Sequence, residues 1–246
     1  DPQQGIRTDV NAVTPDYFRT MQVALLRGRT FQPSDDADAP LFPYLGLPIR
    51  ELETLDAALL IGSNIRKDQP LLGLRLRKAF LRDAALFAVN PVDYGFSFDL
   101  KAKVIIDPAA MPAALARIAR VLAESSGATL PSEVATLAGG TPSDAEQAIA
   151  TGLKAANSAS VLVGHFAMAH PQAALLRALA DLIAELSGAR LGFLPEANGA
   201  GGWLAGCLPQ RGANGAAAQP AGHNARDMLA QPLKGYFIFG AEPELD

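Results

Sequence analysis

Short, unbroken apolar runs alternate along residues 55–194 with stretches in which apolar positions recur every three or four residues. Ala57–Ile61 is such a run, closed by Gly62-Ser63-Asn64, and it reads as a buried parallel strand entering a loop. Pro70 then opens a helix carrying Leu71, Leu72, Leu74, Leu76 and Phe80. Arg75, Arg77, Lys78 and Arg82 follow in its last turns, where cations suit the negative end of a helix dipole. Ala85–Val89 is the next strand, ended by Asn90-Pro91, which completes one βαβ unit. Val104–Ile106 reads as a further strand, and Pro112–Ala123 as a helix with Leu115, Ile118 and Leu122 on one face.

Ser125–Gly140 is polar and small, and reads as a connection. Thr141-Pro142-Ser143-Asp144 announces a helix reaching about Ala156, with Asn157 as a left-handed stop. A second unit follows: strand Ser160–Val163, loop Gly164–Ala169, helix entry at His170-Pro171, helix end at Gly188 and strand Arg190–Leu194. Beyond the glycine-rich Ala197–Gly222, Asn224–Ala230 precedes a last strand at Tyr236–Phe239. The pattern predicts an α/β chain with parallel strands, either as two lobes or as one sheet wound in both directions. The expected divisions are an atypical segment at 1–40, a first lobe at 41–140 and a second at 141–246, truncated at its end. The 1–40 segment alternates weakly at Thr8–Val13, has a helix start at Thr14-Pro15 and ends in the Asp- and Pro-rich Pro33–Pro43. The start at Asp1 and the stop just after a strand-like run suggest a piece of a longer protein.

Composition narrows the chemistry. Hydrophobic residues make up 49% of the 246 and charged residues 19%, which supports a sizeable core and argues against disorder over most of the length. Alanine is about a fifth of the chain, which favours close helix packing on a sheet. The net charge of −4 and the absence of a basic stripe make nucleic acid and anionic membrane poor partners. No apolar run is long enough for direct membrane insertion. One cysteine, Cys207, and three histidines without paired spacing exclude an iron–sulfur cluster on this chain and disfavour a closed metal site.

Four places merit a functional reading beside a plain one. Gly62-Ser63-Asn64 lies between a strand and a helix, where open α/β sheets bind nucleotide-like ligands, yet it is neither a dinucleotide fingerprint nor a phosphate loop and could be a turn that needs small residues. His165 at the matching edge of the second unit could serve as a base, but a loop residue is the commoner outcome, and His170 reads as a helix cap. The glycine-rich run around Trp203 lacks the lysine of a phosphate loop and reads better as an anchored loop or docking patch. Cys207 reads as a small buried hydrophobe. No catalytic residue is identified.

The run Leu55–Asn64, followed by Lys67-Asp68-Gln69-Pro70-Leu71 and Leu74–Ala79, resembles the molybdopterin-oxidoreductase superfamily. With Asn90-Pro91-Val92-Asp93-Tyr94, Leu194–Asn198, Trp203–Gly206, Asn224–Pro232 and Gly240–Asp246, it more closely resembles the G subunit of bacterial NADH:quinone oxidoreductase, respiratory complex I, over residues 41–246. The resemblance implies Rossmann-like βαβ units flanked by helices, as in the central domains of formate dehydrogenase and DMSO reductase. It further implies a non-catalytic scaffold supporting electron transfer from NADH to quinone, with other peripheral-arm subunits as partners, at the cytoplasmic face of the inner membrane. No cofactor is expected in this chain; the iron–sulfur clusters belong to a part of the full subunit that this sequence does not match. In cofactor-bearing relatives the Gly-Ser-Asn turn and an Asp-Pro-Arg after the next strand help hold a pterin nucleotide. Gly62, Ser63 and Asn64 match the first, whereas Asn90-Pro91-Val92 lacks both acid and arginine, so the resemblance implies a vestigial cofactor site at Gly62, Ser63, Asn64 and Asn90. The alternative is a fragment of a molybdopterin-dependent oxidoreductase that binds the nucleotide part of the cofactor. Val13–Met21 with Leu25–Arg29 weakly resembles the extracytoplasmic domain of MacB-type ABC-transporter permeases.

Overall fold

A computed structural model describes residues 43–195, 199–209, 211–212, 216, 218 and 220–237. The expectations for residues 1–40 therefore lie outside the described residues, as do most of Gln210–Gln219 and all of 238–246. Five parallel strands form one sheet in the order β3-β2-β1-β4-β5: β1 Ala57–Ile61, β2 Ala85–Asn90, β3 Ala102–Ile105, β4 Ala159–Val163 and β5 Arg190–Phe193. Residues 41–140 supply the first three strands and 141–246 the other two, so both βαβ units share one doubly wound sheet.

β1 lies at the centre, with Leu59 opposite Phe87 on one side and Val161 on the other. Every residue of β1 and β4 is buried, which is why neither alternates; β1 is apolar throughout, and β4 is apolar but for Ser160, whose Oγ donates to Arg190 O. Ala57, Leu59, Ile61, Phe87, Val89, Val161 and Val163 face one core; Ala58, Leu60, Leu86, Ala88 and Leu162 face the other.

The helices divide unequally between these faces. After α1 (Ile65–Asp68), α2 (Pro70–Phe80) covers the second core together with a short 3-10 helix at Ile49–Thr54 and apolar residues of the loops, among them Leu47 and Phe98. The first core lies beneath α3 (Met111–Ser126), α4 (Ser132–Leu137), α5 (Asp144–Ala155), α6 (His165–Ala169) and α7 (Ala173–Ser187). Buried alanines at 114, 116, 119, 150, 180 and 184 let α3, α5 and α7 approach closely. Gly152 of α5 lies directly over Phe87: a Cβ there would stand 2.3 Å from the ring's Cζ.

Sequence signals account for the helix ends. Ser143 and Glu146 form a capping box on α5, and Gly127 and Gly188 end α3 and α7 at φ 66° and 78°. Glu146 has a second role, because its carboxylate accepts hydrogen bonds from Arg117 Nε and Nη2 at 3.0 and 2.7 Å, joining α5 to α3. Burial raises the Glu146 pKa, but the Arg117 and Ser143 hydrogen bonds outweigh it and hold the carboxyl below the usual range.

Several local expectations need correction. Ser125–Gly140 contains α4, whose single buried residue, Val134, gives too weak a pattern to read. Gly164–Ala169 is mostly helical, as α6. α5 ends on Ala156 with an extended backbone, and Asn157 makes no left-handed stop; its N–H instead donates to Asp56 Oδ2 at 3.2 Å. Tyr236 and Phe237 lie in no strand. Cys207 is exposed, because the Gly- and Ala-rich stretch around it, including α8 (Gly199–Leu204), has little apolar area with which to bury it. A last helix, α9, spans Ala225–Ala230 and is capped by Asn224, whose Oδ1 accepts from Asp227 N.

Candidate functional site

The chain runs outward from β1 in both directions, to β2 on one side and, after β3, to β4 on the other. The carboxyl ends of β1 and β4 thus flank the topological switch point, where a doubly wound sheet opens a crevice for ligands. Gly62-Ser63-Asn64 leaves β1 there and Gly164-His165 leaves β4. Asn90 ends the neighbouring β2.

These turns close on one another. Gly164 N donates to Ile61 O at 2.8 Å, and Phe166 N donates to Gly62 O at 3.0 Å. Gly62 adopts φ 58°, and a Cβ on it would stand 2.6 Å from Ala167 N and 2.7 Å from Ala167 Cβ. A Cβ on Gly164 would stand 2.4 Å from Ser63 Cβ and 2.5 Å from Gly62 O. Both glycines are therefore required by contacts within the chain, and α6 occupies the space over the β1 turn.

Asn90 is fully buried and both ends of its amide are engaged. Its Oδ1 accepts from Ser63 N at 2.8 Å, and its Nδ2 donates to Ser63 O at 3.2 Å. This reciprocal pair fixes the Ser63 backbone against β2. Ser63 Oγ is itself buried without a hydrogen-bond partner, an unanswered polar side-chain atom within the turn. Asn64 caps α1 through its carbonyl, which accepts from Lys67 N and Asp68 N, and its side chain makes no capping bond. Gly62, Ser63 and Asn90 are thus brought together, with Asn64 adjoining. Val92 is half-exposed beyond them.

The histidines divide. His170 is buried; its Nδ1 accepts from Gln172 N at 3.0 Å, so the proton lies on Nε2, which donates to Pro108 O at 3.1 Å. Both nitrogens are committed to structure, but the expected cap lies elsewhere: α7 begins at Ala173 with Gln172 at its N-cap, and His170 braces the turn two residues before it. His165 opens α6 beside the switch point and is half-buried. Sequence reasoning missed Gln69, whose Nε2 donates to Leu194 O and Pro195 O, both at 3.1 Å, tying the start of α2 to the end of β5. It also missed Ala167, whose small side chain gives no signal in advance. Among the described residues no three His, Cys, Asp or Glu side chains gather as a metal site, and no helix is long and apolar enough to cross a membrane. A cavity of about 430 Å³ lies under the loop at 93–100, lined by Tyr94, Phe96, Phe98 and the Asp93–Lys103 ion pair, and shares no lining residue with the switch point.

A family model described as molybdopterin oxidoreductase matches residues 41–245. The chain belongs to the molybdopterin oxidoreductase family. No curated protein matches it. Among solved structures it is similar to the formyltransferase/hydrolase complex FhcABCD from Methylorubrum extorquens, determined with methylofuran, at 16% identity and a TM-score of 0.40. That alignment covers 67% of this chain and 43% of the other, so this chain spans less than half of that one's length.

A pterin nucleotide needs an acceptor for its sugar hydroxyls, a cation for its phosphates and exposed backbone at the glycine turn. At the switch point the described residues meet these needs in part at most: Ser63 Oγ is a buried hydroxyl without a partner, but Asn90-Pro91-Val92 after β2 carries neither acid nor arginine. Asn90 has no free atom, Val92 stands where the resemblance implies arginine, and Ala167 packs on Gly62. At Gly62, Asn90 and Val92 the residues do not fit the group.

Proposed function

We propose that this chain is a non-catalytic scaffold segment of the G subunit of respiratory complex I. In this reading it supports electron transfer from NADH to quinone by packing against cluster-bearing and neighbouring peripheral-arm subunits, at the cytoplasmic face of the membrane. The observation that carries the reading is the self-closure of the switch point: the side chains and glycines that would face a nucleotide bind the chain's own turns. The motif order quoted above links it to the G subunit. The family's nucleotide-binding activity remains the second reading, favoured by Ser63 Oγ, a buried hydroxyl without a partner at the correct turn.

The two readings separate on cofactor content. The chain is expressed in a host that makes molybdenum cofactor, then analysed for molybdenum, tungsten and fluorescent pterin oxidation products. The scaffold reading expects none above the level of an unrelated control protein, and no NADH oxidation with artificial acceptors. About one equivalent of metal and pterin would establish the second reading instead. Deleting the segment from a G subunit assembled with its partners should lower the yield of complete peripheral arm. An intact, fully active arm without it would sink the scaffold role.

A further inference from the structure

Helix α2 is apolar on two sides. Leu76 and Ala79 are buried against the sheet, as the helix's place over the second core requires. On the opposite side Leu71, Leu74 and Leu81 are 74%, 49% and 67% exposed. Their positions, with Lys78 between the last two, follow intervals of three, four and three residues. That is the seam spacing by which one helix receives another. Among the described residues nothing covers the three leucines, while Lys78 reaches back to Glu53.

The charge around it is one-sided. Residues 65–83 carry six basic side chains and two acidic ones, in a chain whose net charge is −4. Glu53 takes up two of the cations: it accepts from Lys78 Nζ at 2.8 Å and also pairs with Arg75, and these bonds hold its carboxyl below the usual range. Arg66 donates to Gly95 O at 3.2 Å and Arg77 donates to Ser97 O. Among the described residues neither pairs with a carboxylate, nor do Lys67, just before α2, and Arg82, just after it.

We infer that the outer face of α2 is a docking site for an acidic amphipathic helix of another protein subunit, with leucine-like residues in the seam and Asp or Glu along its flanks. The charge argues against a second copy of this chain. Pairing α2 with itself would set Arg and Lys against Arg and Lys, because the helix from Pro70 to Phe80 contains no acid. The surface stands whether or not the complex I reading is correct, since it uses no residue of the switch point.

The test uses the full chain and a labelled designed peptide with Leu at heptad positions a and d and Glu at e and g. A control peptide has Lys in place of Glu. Fluorescence anisotropy should show saturable binding of the acidic peptide only, weakening several-fold between low and physiological salt. The variant Leu71→Ser/Leu74→Ser/Leu81→Ser alters exposed positions, so it should keep the parent's circular dichroism and melting temperature while losing at least about tenfold in affinity. Lys67→Ser/Arg82→Ser should flatten the salt dependence. Equal binding of both peptides, no binding of either, or unchanged affinity in the leucine variant would overturn the proposal. So would a stable dimer of the parent chain by light scattering that the leucine variant lacks, because the occupant would then be a second copy.

Discussion

Replacing Asn90 by Asp introduces the acid that the resemblance assigns to cofactor-bearing relatives, and it tests the closed switch point directly. Asn90 has two bonds to Ser63, one accepted at 2.8 Å and one donated at 3.2 Å. An ionised Asp keeps the first but turns its second oxygen toward Ser63 O, losing a hydrogen bond worth about 1 kcal/mol and setting a charge against a carbonyl in a fully buried site. The protein can escape by protonating the Asp, which restores a donor toward Ser63 O. From an ordinary Asp pKa of about 3.9, at about 1.36 kcal/mol per unit, that escape costs about 5 kcal/mol at about pH 7.5 and about 1.5 kcal/mol at about pH 5. These values are ceilings on the destabilisation. The sign follows from the same step: burial raises the folded-state pKa of the new carboxyl, so the variant loses stability as pH rises from the unfolded value toward the folded one. Urea denaturation of parent and Asn90→Asp at the two pH values provides the measurement. The expected gap is several kcal/mol at the higher pH and should shrink at the lower. A variant as stable as the parent at about pH 7.5 would mean that the turn has room and solvent for an acid, and the self-closure would be wrong.

Other expectations follow from neighbouring geometry. Gly164→Ala places a Cβ 2.4 Å from Ser63 Cβ and 2.5 Å from Gly62 O, so the β1 and β4 turns must part; a loss of about 3 kcal/mol is expected in urea melts, and a neutral result would contradict the close approach. Gly152→Ala gains about 1 kcal/mol of helix propensity but drives a Cβ within 2.3 Å of Phe87 Cζ, so a net loss of about 1–2 kcal/mol should accompany a changed ring environment in aromatic NMR spectra. Because the Glu146 carboxyl is held below its ordinary value of 4.5, its contribution is complete above that pH and lost as pH falls through the folded value; Glu146→Gln should therefore flatten the acid limb of a stability profile, and an unchanged limb would place the titration elsewhere.

What could be read in advance depended on whether a residue's role was local. Ala57–Ile61 and, but for Ser160 itself, Ser160–Val163 declare themselves as apolar runs because both of their faces are buried, and Gly127 and Gly188 mark helix ends because backbone conformation is a property of one position. α4 leaves no mark in the sequence because its single buried residue, Val134, makes no periodicity, and Cys207, a residue type that is usually buried, lies in a stretch that lacks the area to bury it. The switch point shows the limit most clearly. Sequence places Gly62-Ser63-Asn64 after a strand, and the resemblance marks Asn90 as a departure, but neither says that Asn90 turns its amide onto Ser63, 27 residues away. Nor does either say that Ala167, more than a hundred positions from Gly62, fills the space which the glycine leaves. A glycine that admits a phosphate and a glycine that admits a neighbouring helix are the same letter. The difference lies in a long-range contact made by an alanine, the residue type that composes about a fifth of the chain and so carries the least information about where it packs.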